Sequence, residues 1–312
     1  MTEVVAEVIR SGFVECQHQG TLVVLDAAGA VLASAGDPTR PILPRSSNKP
    51  MQAVGMLRCG LELGPEDLAV AAASHSGEPY HLARVRAMLA AGGLGEDDLL
   101  CPPDLPLDVT AARDLLAAGH GPASIQMNCS GKHAAMLRTC VAADWKTAEY
   151  TSPDHPLQRS LGAAVEEIAG EPVAAIAVDG CGAPLFALSL LALARAFARI
   201  VGSPTGSEER TVADAMRAHP ELVGGTNRDV TALMSGVPGL LAKDGAEGLY
   251  AAALPGVGAV AVKIADGAAR ARVPVLVSAL RRLGVDAPVL DRLAEVPILG
   301  GGQPVGHVHS VW

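Results

Sequence analysis

Aromatic side chains are scarce in this sequence. Phe, Tyr and Trp make up only 3% of its 312 residues, so the large apolar payload that rings bring to a core is missing. Hydrophobic residues still reach 49%, and the core has to be built from Ala, Leu and Val. Alanine favours helix, and a chain of this length buries a large core as one big domain or two joined lobes.

Long apolar runs are absent too. Mean hydropathy is +0.30, yet the longest stretch, "APLFALSLLALARAF", is broken by Arg195 before it could span a bilayer. The opening "MTEVVAEVIRSG" has no basic region followed by an apolar one, so no signal peptide is expected. The six cysteines (16, 59, 101, 129, 140, 181) contain no CxxC pair and no dense framework, which points to reduced thiols and a cytoplasmic location. A net charge of −9 without basic runs argues against nucleic acid and anionic membrane surfaces as partners. The expectation is a soluble globular protein.

Lysine is the rarest charge. Only five of the 24 basic residues are lysine: Lys49, Lys132, Lys146, Lys243 and Lys263. Arginine cannot surrender its proton, so a chain that uses arginine for ordinary charge keeps lysine where a proton must come off.

Both chain ends have strand character. "EVVAEVIRS", "TLVVLDAAG" and "AVLASAG" are short and β-rich, and "GLLAKDG", "GLYAAAL" and "VGAVAVKIAD" predict a late antiparallel meander. The tail "GHVHSVW" is expected to add an edge strand. Between them helical segments dominate: 46–61, 79–92, 110–118, 131–143, 156–169, 185–200 and 207–218, with one strand at 173–178 and a further helix at 267–284. The pattern predicts an α+β fold. A single domain is expected, with a sheet lobe from about 1–45 and 238–312 and a mainly helical lobe from about 46–237.

Four stretches carry chemistry. In "RSSNKPMQA" a helix starting near Ser46 puts Lys49 one turn later on the same face, where a neutral amine can take the serine proton. Serine hydrolases that recognise penicillin use the same S-x-x-K spacing; a capping serine followed by a surface lysine is the competing reading. "ASHSGEPYH" (73–81) follows an apolar run and suits either a site-lining loop or a helix cap. "MNCSGKHAAML" (127–137) opens a helix with Cys129, Lys132 and His133, and Cys181 sits in the glycine turn of "VDGCGAP". Cys129, His133 and Cys181 are candidate zinc ligands by spacing, against the alternative of ordinary buried thiols. Finally, Lys263 interrupts an apolar strand in "VAVKIADG", a costly place for a charge that does not face a site or reach water. No K-T-G stands in the sequence.

Taken in order, "GDPTRPILPRSSNKP", "ASHSGE", "NCSGKHAAML", "SPDHPLQ", "DGCGAP", "AHPELVGG" and "VKIADG" resemble the Rhizobium-type, or class 3, L-asparaginases. The resemblance implies a serine β-lactamase-like fold, with an antiparallel sheet from both chain ends plus a helical lobe. It implies hydrolysis of L-asparagine by two Ser–Lys pairs, carried over to Ser46 with Lys49 and Ser74 with Lys263. The implied zinc ligands are Cys129, Lys132 and Cys181, with lysine in place of the His133 that spacing suggested. A homodimer and a small-molecule substrate are implied as well. Arg45 is the expected partner of the substrate carboxylate, and Asp179 of its ammonium or of the zinc shell. Cys16, and the lack of an asparagine before the last glycines, depart from the family pattern. They leave open a glutaminase or a β-lactamase-like hydrolase. A zinc-binding protein without catalysis is the reading from another class.

Overall fold

Strands from the two ends of the chain share one antiparallel sheet. The computed structural model describes residues 2–312. In chain order the strands are β1 (Glu3–Arg10), β2 (Phe13–Asp26), β3 (Val31–Ala35), β4 (Pro41–Ile42), β5 (Ala175–Val178), β6 (Pro184–Ser189), β7 (Leu241–Gly245), β8 (Leu249–Leu254), β9 (Gly258–Ile264), β10 (Glu295–Gly300) and β11 (Gln303–Ser310). The helices are α1 (Lys49–Arg58), α2 (Pro65–Ala71), α3 (Pro79–Ala90), α4 (Val109–Ala117), α5 (Ser130–Ala142), α6 (Pro156–Ala169), α7 (Leu190–Gly202), α8 (Glu208–Ala218), α9 (Pro220–Val223), α10 (Asp229–Gly236), α11 (Ala269–Arg282) and α12 (Pro288–Leu293). Two compact units result. The first holds the chain up to Ser47, Leu188–Gly202 and Ala232–Trp312; the second holds Asn48–Ala187 and Ser203–Thr231.

In the first unit the sheet runs β10-β11-β1-β2-β9-β8-β7, with β3 also beside β2. Ala6 faces Ser310 across β1 and β11, which ties the N-terminal strand to the C-terminal one. Consecutive residues Leu22–Leu25 and Ala259–Val262 are fully buried, so both faces of the sheet are covered there. Helices α7 and α11 pack on β9. The tail strand β11 is not an edge: β10 lies outside it, and Pro297 sits on that edge strand, where proline is tolerated. Strand β2 begins at Phe13 rather than Thr21; its first half, "FVECQHQ", is largely exposed and lacks an apolar pattern. The segment expected as the start of a helix at 185 is instead strand β6, buried at all six positions. An apolar run of this length reads equally as a buried strand or a buried helix turn.

The second unit is helical. Helix α1 packs on α6, α8 and α5, and α5 packs on α2 and α3. The approach of α5 to α2 is close enough to demand glycine. A Cβ on Gly131 would meet Val70 Cγ1 at 2.4 Å and Val70 O at 2.5 Å. This contact seats the start of α5 beside the end of α2, from which the chain leads directly to Ser74. Among the described residues no helix is long and apolar enough to cross a membrane.

Candidate active site

In the second unit, the chain leaves α2 through the buried run Ala72–Ser76. It is pinned there on both sides, since Ser74 N donates to Val223 O and His75 N to Asn128 O, each at 3.1 Å. Lys49 opens α1 with Pro50 behind it, where a missing N–H is harmless. Its side chain is only 1% exposed. The Lys49 amine donates to Ala73 O and stands 3.0 Å from Ser74 Oγ. The structure therefore brings Lys49 together with Ser74.

Cys129 occupies the position before α5, and Cys181 sits in the turn of the β5–β6 hairpin. That turn closes through Asp179 N to Ala183 O and Gly182 N to Asp179 O, with Gly182 at φ +84°, a value favoured by glycine. Cys129, Lys132 and Cys181 are all buried. Lys132 Nζ donates to Cys181 Sγ at 3.1 Å, Cys129 Sγ donates to Asn128 Oδ1 at 3.2 Å, and Asp179 Oδ2 lies 4.0 Å from Cys181 Sγ. The neighbouring Cys181 sulfur and burial push the Cys129 thiol well up, whereas Cys129, Lys132 and His133 together hold Cys181 far below the usual thiol range against its burial. Burial works against the Lys132 cation, but Cys181, Cys129 and Asp179 outweigh it and raise the amine.

Two sulfurs and one amine nitrogen thus converge in a dry pocket, a donor set that suits a borderline-soft ion such as zinc. A further buried atom there is unsatisfied. His133 Nδ1 meets the Tyr150 hydroxyl at 2.7 Å, whereas Nε2 makes no well-formed hydrogen bond although the ring is near enough to Cys181 to favour its thiolate. The residues fit the metal. Among the described residues no cluster of three or more His, Cys, Asp or Glu side chains is suited to a metal.

In the first unit, Arg45–Asn48 forms a 3-10 turn, and Arg45 takes φ +49°. A non-glycine residue in this region is held at a cost of about 1–3 kcal/mol. Ser46 follows it, partly buried. Ser47 N closes the turn on Pro44 O, and Ser47 Oγ donates to Lys243 O at 3.1 Å. Strand β7 passes so near that a Cβ on Gly245 would lie 3.0 Å from Pro44 O and 3.1 Å from Ser47 Oγ.

Lys243 is fully buried and was not a candidate in the sequence reading. Its amine donates to Asp244 Oδ1 at 2.6 Å and Asp244 O at 2.8 Å. Arg272 braces the same stretch, with Nη1 on Gly245 O at 2.8 Å and Nη2 3.4 Å from Asp244 Oδ2. The missed signal was Lys-Asp-Gly at 243–245, opening the late meander after an early S-x-x-K. A search for K-T-G passes over it.

Arg45 and Lys263 gather around Glu247. Arg45 Nη1 lies 3.7 Å from Glu247 Oε1, and the Lys263 amine donates to Glu247 O. Lys263, on β9 opposite Thr21 of β2, is held below the usual lysine range by burial and by Arg45, against the pull of Glu247. It lines a cavity of about 250 Å³ with Thr21, Asp37 and Arg40.

No curated protein sequence matches the chain. Among solved structures, a provisionally assigned beta-lactamase from Bacteroides dorei DSM 17855 is similar at TM-score 0.47 and 16% identity, covering 85% of this chain and 93% of its own. A beta-lactamase from Mycobacterium bovis is similar at TM-score 0.42 and 16% identity, covering 80% and 88%. The sequence profile of the L-asparaginase II family matches residues 6–310, nearly the whole chain. The protein belongs to that family of asparaginase-type amidohydrolases.

Proposed function

We propose that this protein hydrolyses L-asparagine to L-aspartate and ammonia by a Ser–Lys mechanism. The observation that carries the reading is the buried Lys49 amine 3.0 Å from Ser74 Oγ, in a member of the L-asparaginase II family. A neutral amine has two N–H groups and one lone pair. Its two N–H groups serve Ala73 O and Ser74 Oγ, which leaves the lone pair of the neutral form for the Ser46 hydroxyl proton.

Ser46 Oγ attacks the side-chain amide carbon, and its proton passes to Lys49. The tetrahedral intermediate collapses as Lys49, through the Ser74 hydroxyl, returns a proton to the leaving nitrogen; the C–N bond breaks and ammonia departs. The aspartyl ester on Ser46 is then attacked by water, whose proton goes to Lys49; the ester C–O bond breaks, Lys49 returns that proton to Ser46 Oγ, and aspartate leaves. Lys263, whose amine burial holds below the usual lysine range, is the second catalytic lysine of the scheme. Arg45 takes the substrate carboxylate, exchanging its long contact with Glu247 for a bidentate one. Asp179 takes the ammonium or orders the thiol pocket. Cys129, Lys132 and Cys181 would hold zinc, which would supply a fixed positive charge there.

The test is ammonia release from L-asparagine and L-glutamine by the purified protein and by Ser46→Ala. Turnover of asparagine that disappears in Ser46→Ala supports the reading. Preference for glutamine would move the substrate and keep the mechanism. Wild-type turnover in Ser46→Ala would sink the assigned nucleophile.

A further inference from the structure

His75 touches both chemical groups of the second unit. Its backbone N–H donates to Asn128 O at 3.1 Å, and its Nε2 lies 2.9 Å from Ser130 Oγ. Asn128 and Ser130 are the two residues flanking Cys129. On its other side His75 is bonded through the chain to Ser74, whose hydroxyl meets Lys49. One buried residue therefore spans from the Ser–Lys pair to the thiol pocket.

The protons of this link are assigned by its partners. Ser130 Oγ donates to Ile125 O at 2.7 Å, so its single proton is committed and it accepts from His75 Nε2–H. Gly77 N–H donates to His75 Nδ1 at 3.2 Å, so that nitrogen carries the lone pair. Both ring nitrogens are thereby fixed and the imidazole is neutral. Burial pushes His75 well below the usual histidine range, and His81 and Lys49 add to the effect. His81 stacks behind the ring at 5.2 Å and 21°, and is itself anchored by Nε2 on Glu221 O at 3.0 Å.

We propose that His75 is a positioning residue, and that its Nε2–H bond to Ser130 Oγ sets the Ser74–Lys49 pair in register with the Cys129–Lys132–Cys181 pocket. The inference rests on the reading of these two groups as parts of one amidohydrolase site. It adds a residue that the sequence motifs treated only as part of a loop or a helix cap. His75 touches no reacting atom in this scheme; it acts through Ser130.

Three replacements separate the bond from mere packing. His75→Gln keeps a donor near the Nε2 position, His75→Asn keeps an acceptor near Nδ1 but loses that donor, and Ser130→Ala removes the acceptor. For each, kcat and KM on L-asparagine, zinc retained after dialysis against a chelator, and thermal midpoint are measured. Losses of about 10- to 100-fold in kcat or metal affinity are expected in His75→Asn and Ser130→Ala, with KM moving less. His75→Gln should stay close to wild type, and the double variant His75→Asn/Ser130→Ala should be no worse than either single one. Equal effects in Gln and Asn, or losses that add in the double variant, would overturn the inference while leaving the amidohydrolase reading standing. A wild-type protein that neither releases ammonia nor keeps zinc would remove both.

Discussion

Lys49 and Ser74 form a buried pair: the amine is 3.0 Å from the hydroxyl, with Ala73 O as its second partner. Positions 49 and 74 lie in different elements, so the pair is made by the fold and not by local spacing. Replacing Lys49 with methionine keeps much of the volume and removes the base. Turnover should fall by about 10²–10⁴, the range for lost general acid–base catalysis, with little change in thermal midpoint. Lys49→Arg should give no rescue, because a guanidinium keeps its proton. Ammonia release at saturating asparagine measures both, and wild-type kcat in Lys49→Arg would exclude proton transfer at this site.

Gly245 controls the turn that carries Ser46. A methyl group there would press on Pro44 O at 3.0 Å and Ser47 Oγ at 3.1 Å. Gly245→Ala should lower stability by about 1–3 kcal/mol, as overpacking does, and cut kcat by displacing the turn. Gly64→Ala is the matched control, with open space at its Cβ and φ −67°. Urea denaturation and turnover of the two variants side by side decide the matter; equal behaviour would mean β7 does not position Ser46.

Much of the fold was legible because periodicity survives where one face is buried. The β7–β8–β9 meander and helices α3, α5 and α6 follow from apolar spacing and Gly/Pro punctuation. The failures have physical causes. "FVECQHQ" is strand without an apolar stripe, held by its neighbours, and "PLFALS" is apolar at every position that matters, so neither period shows. At the site, motif resemblance names Cys129, Lys132 and Cys181, all three of which are buried, with Lys132 Nζ 3.1 Å from Cys181 Sγ. The Lys49–Ser74 contact and the His75–Ser130 bond join residues 25 and 55 positions apart. No sequence spacing encodes them.

Glu78 gives the protein an acid-sensitive clasp. Burial works against its carboxylate, but the Thr226 hydroxyl and N–H and the Tyr80 hydroxyl outweigh it and hold the group below its ordinary value of 4.5. The unfolded chain therefore takes up this proton at a higher pH than the folded one. The stabilisation is complete above about 4.5 and fades as pH falls through the folded value. Wild type should exceed Glu78→Gln in urea midpoint at neutral pH, and the gap should narrow in acid. A gap that stays constant or widens on acidification would contradict the assigned sign.

The thiol pocket makes the metal prediction pH-dependent in a definite direction. Cys129 holds a proton on Asn128, and Lys132 is held protonated against the Cys181 thiolate. A zinc ion entering this set must displace the protons of both, so binding releases protons and weakens as pH falls. One zinc per chain should be retained at neutral pH and lost on mild acidification. Cys181→Ser should abolish retention, because the serine hydroxyl does not supply the thiolate. Lys132→Met should weaken it, keeping both sulfurs while removing the nitrogen donor. Elemental analysis after dialysis, with proton release followed in weakly buffered solution, tests this without any substrate. Zinc binding that is independent of pH, or unchanged in Lys132→Met, would place the ion elsewhere on the protein.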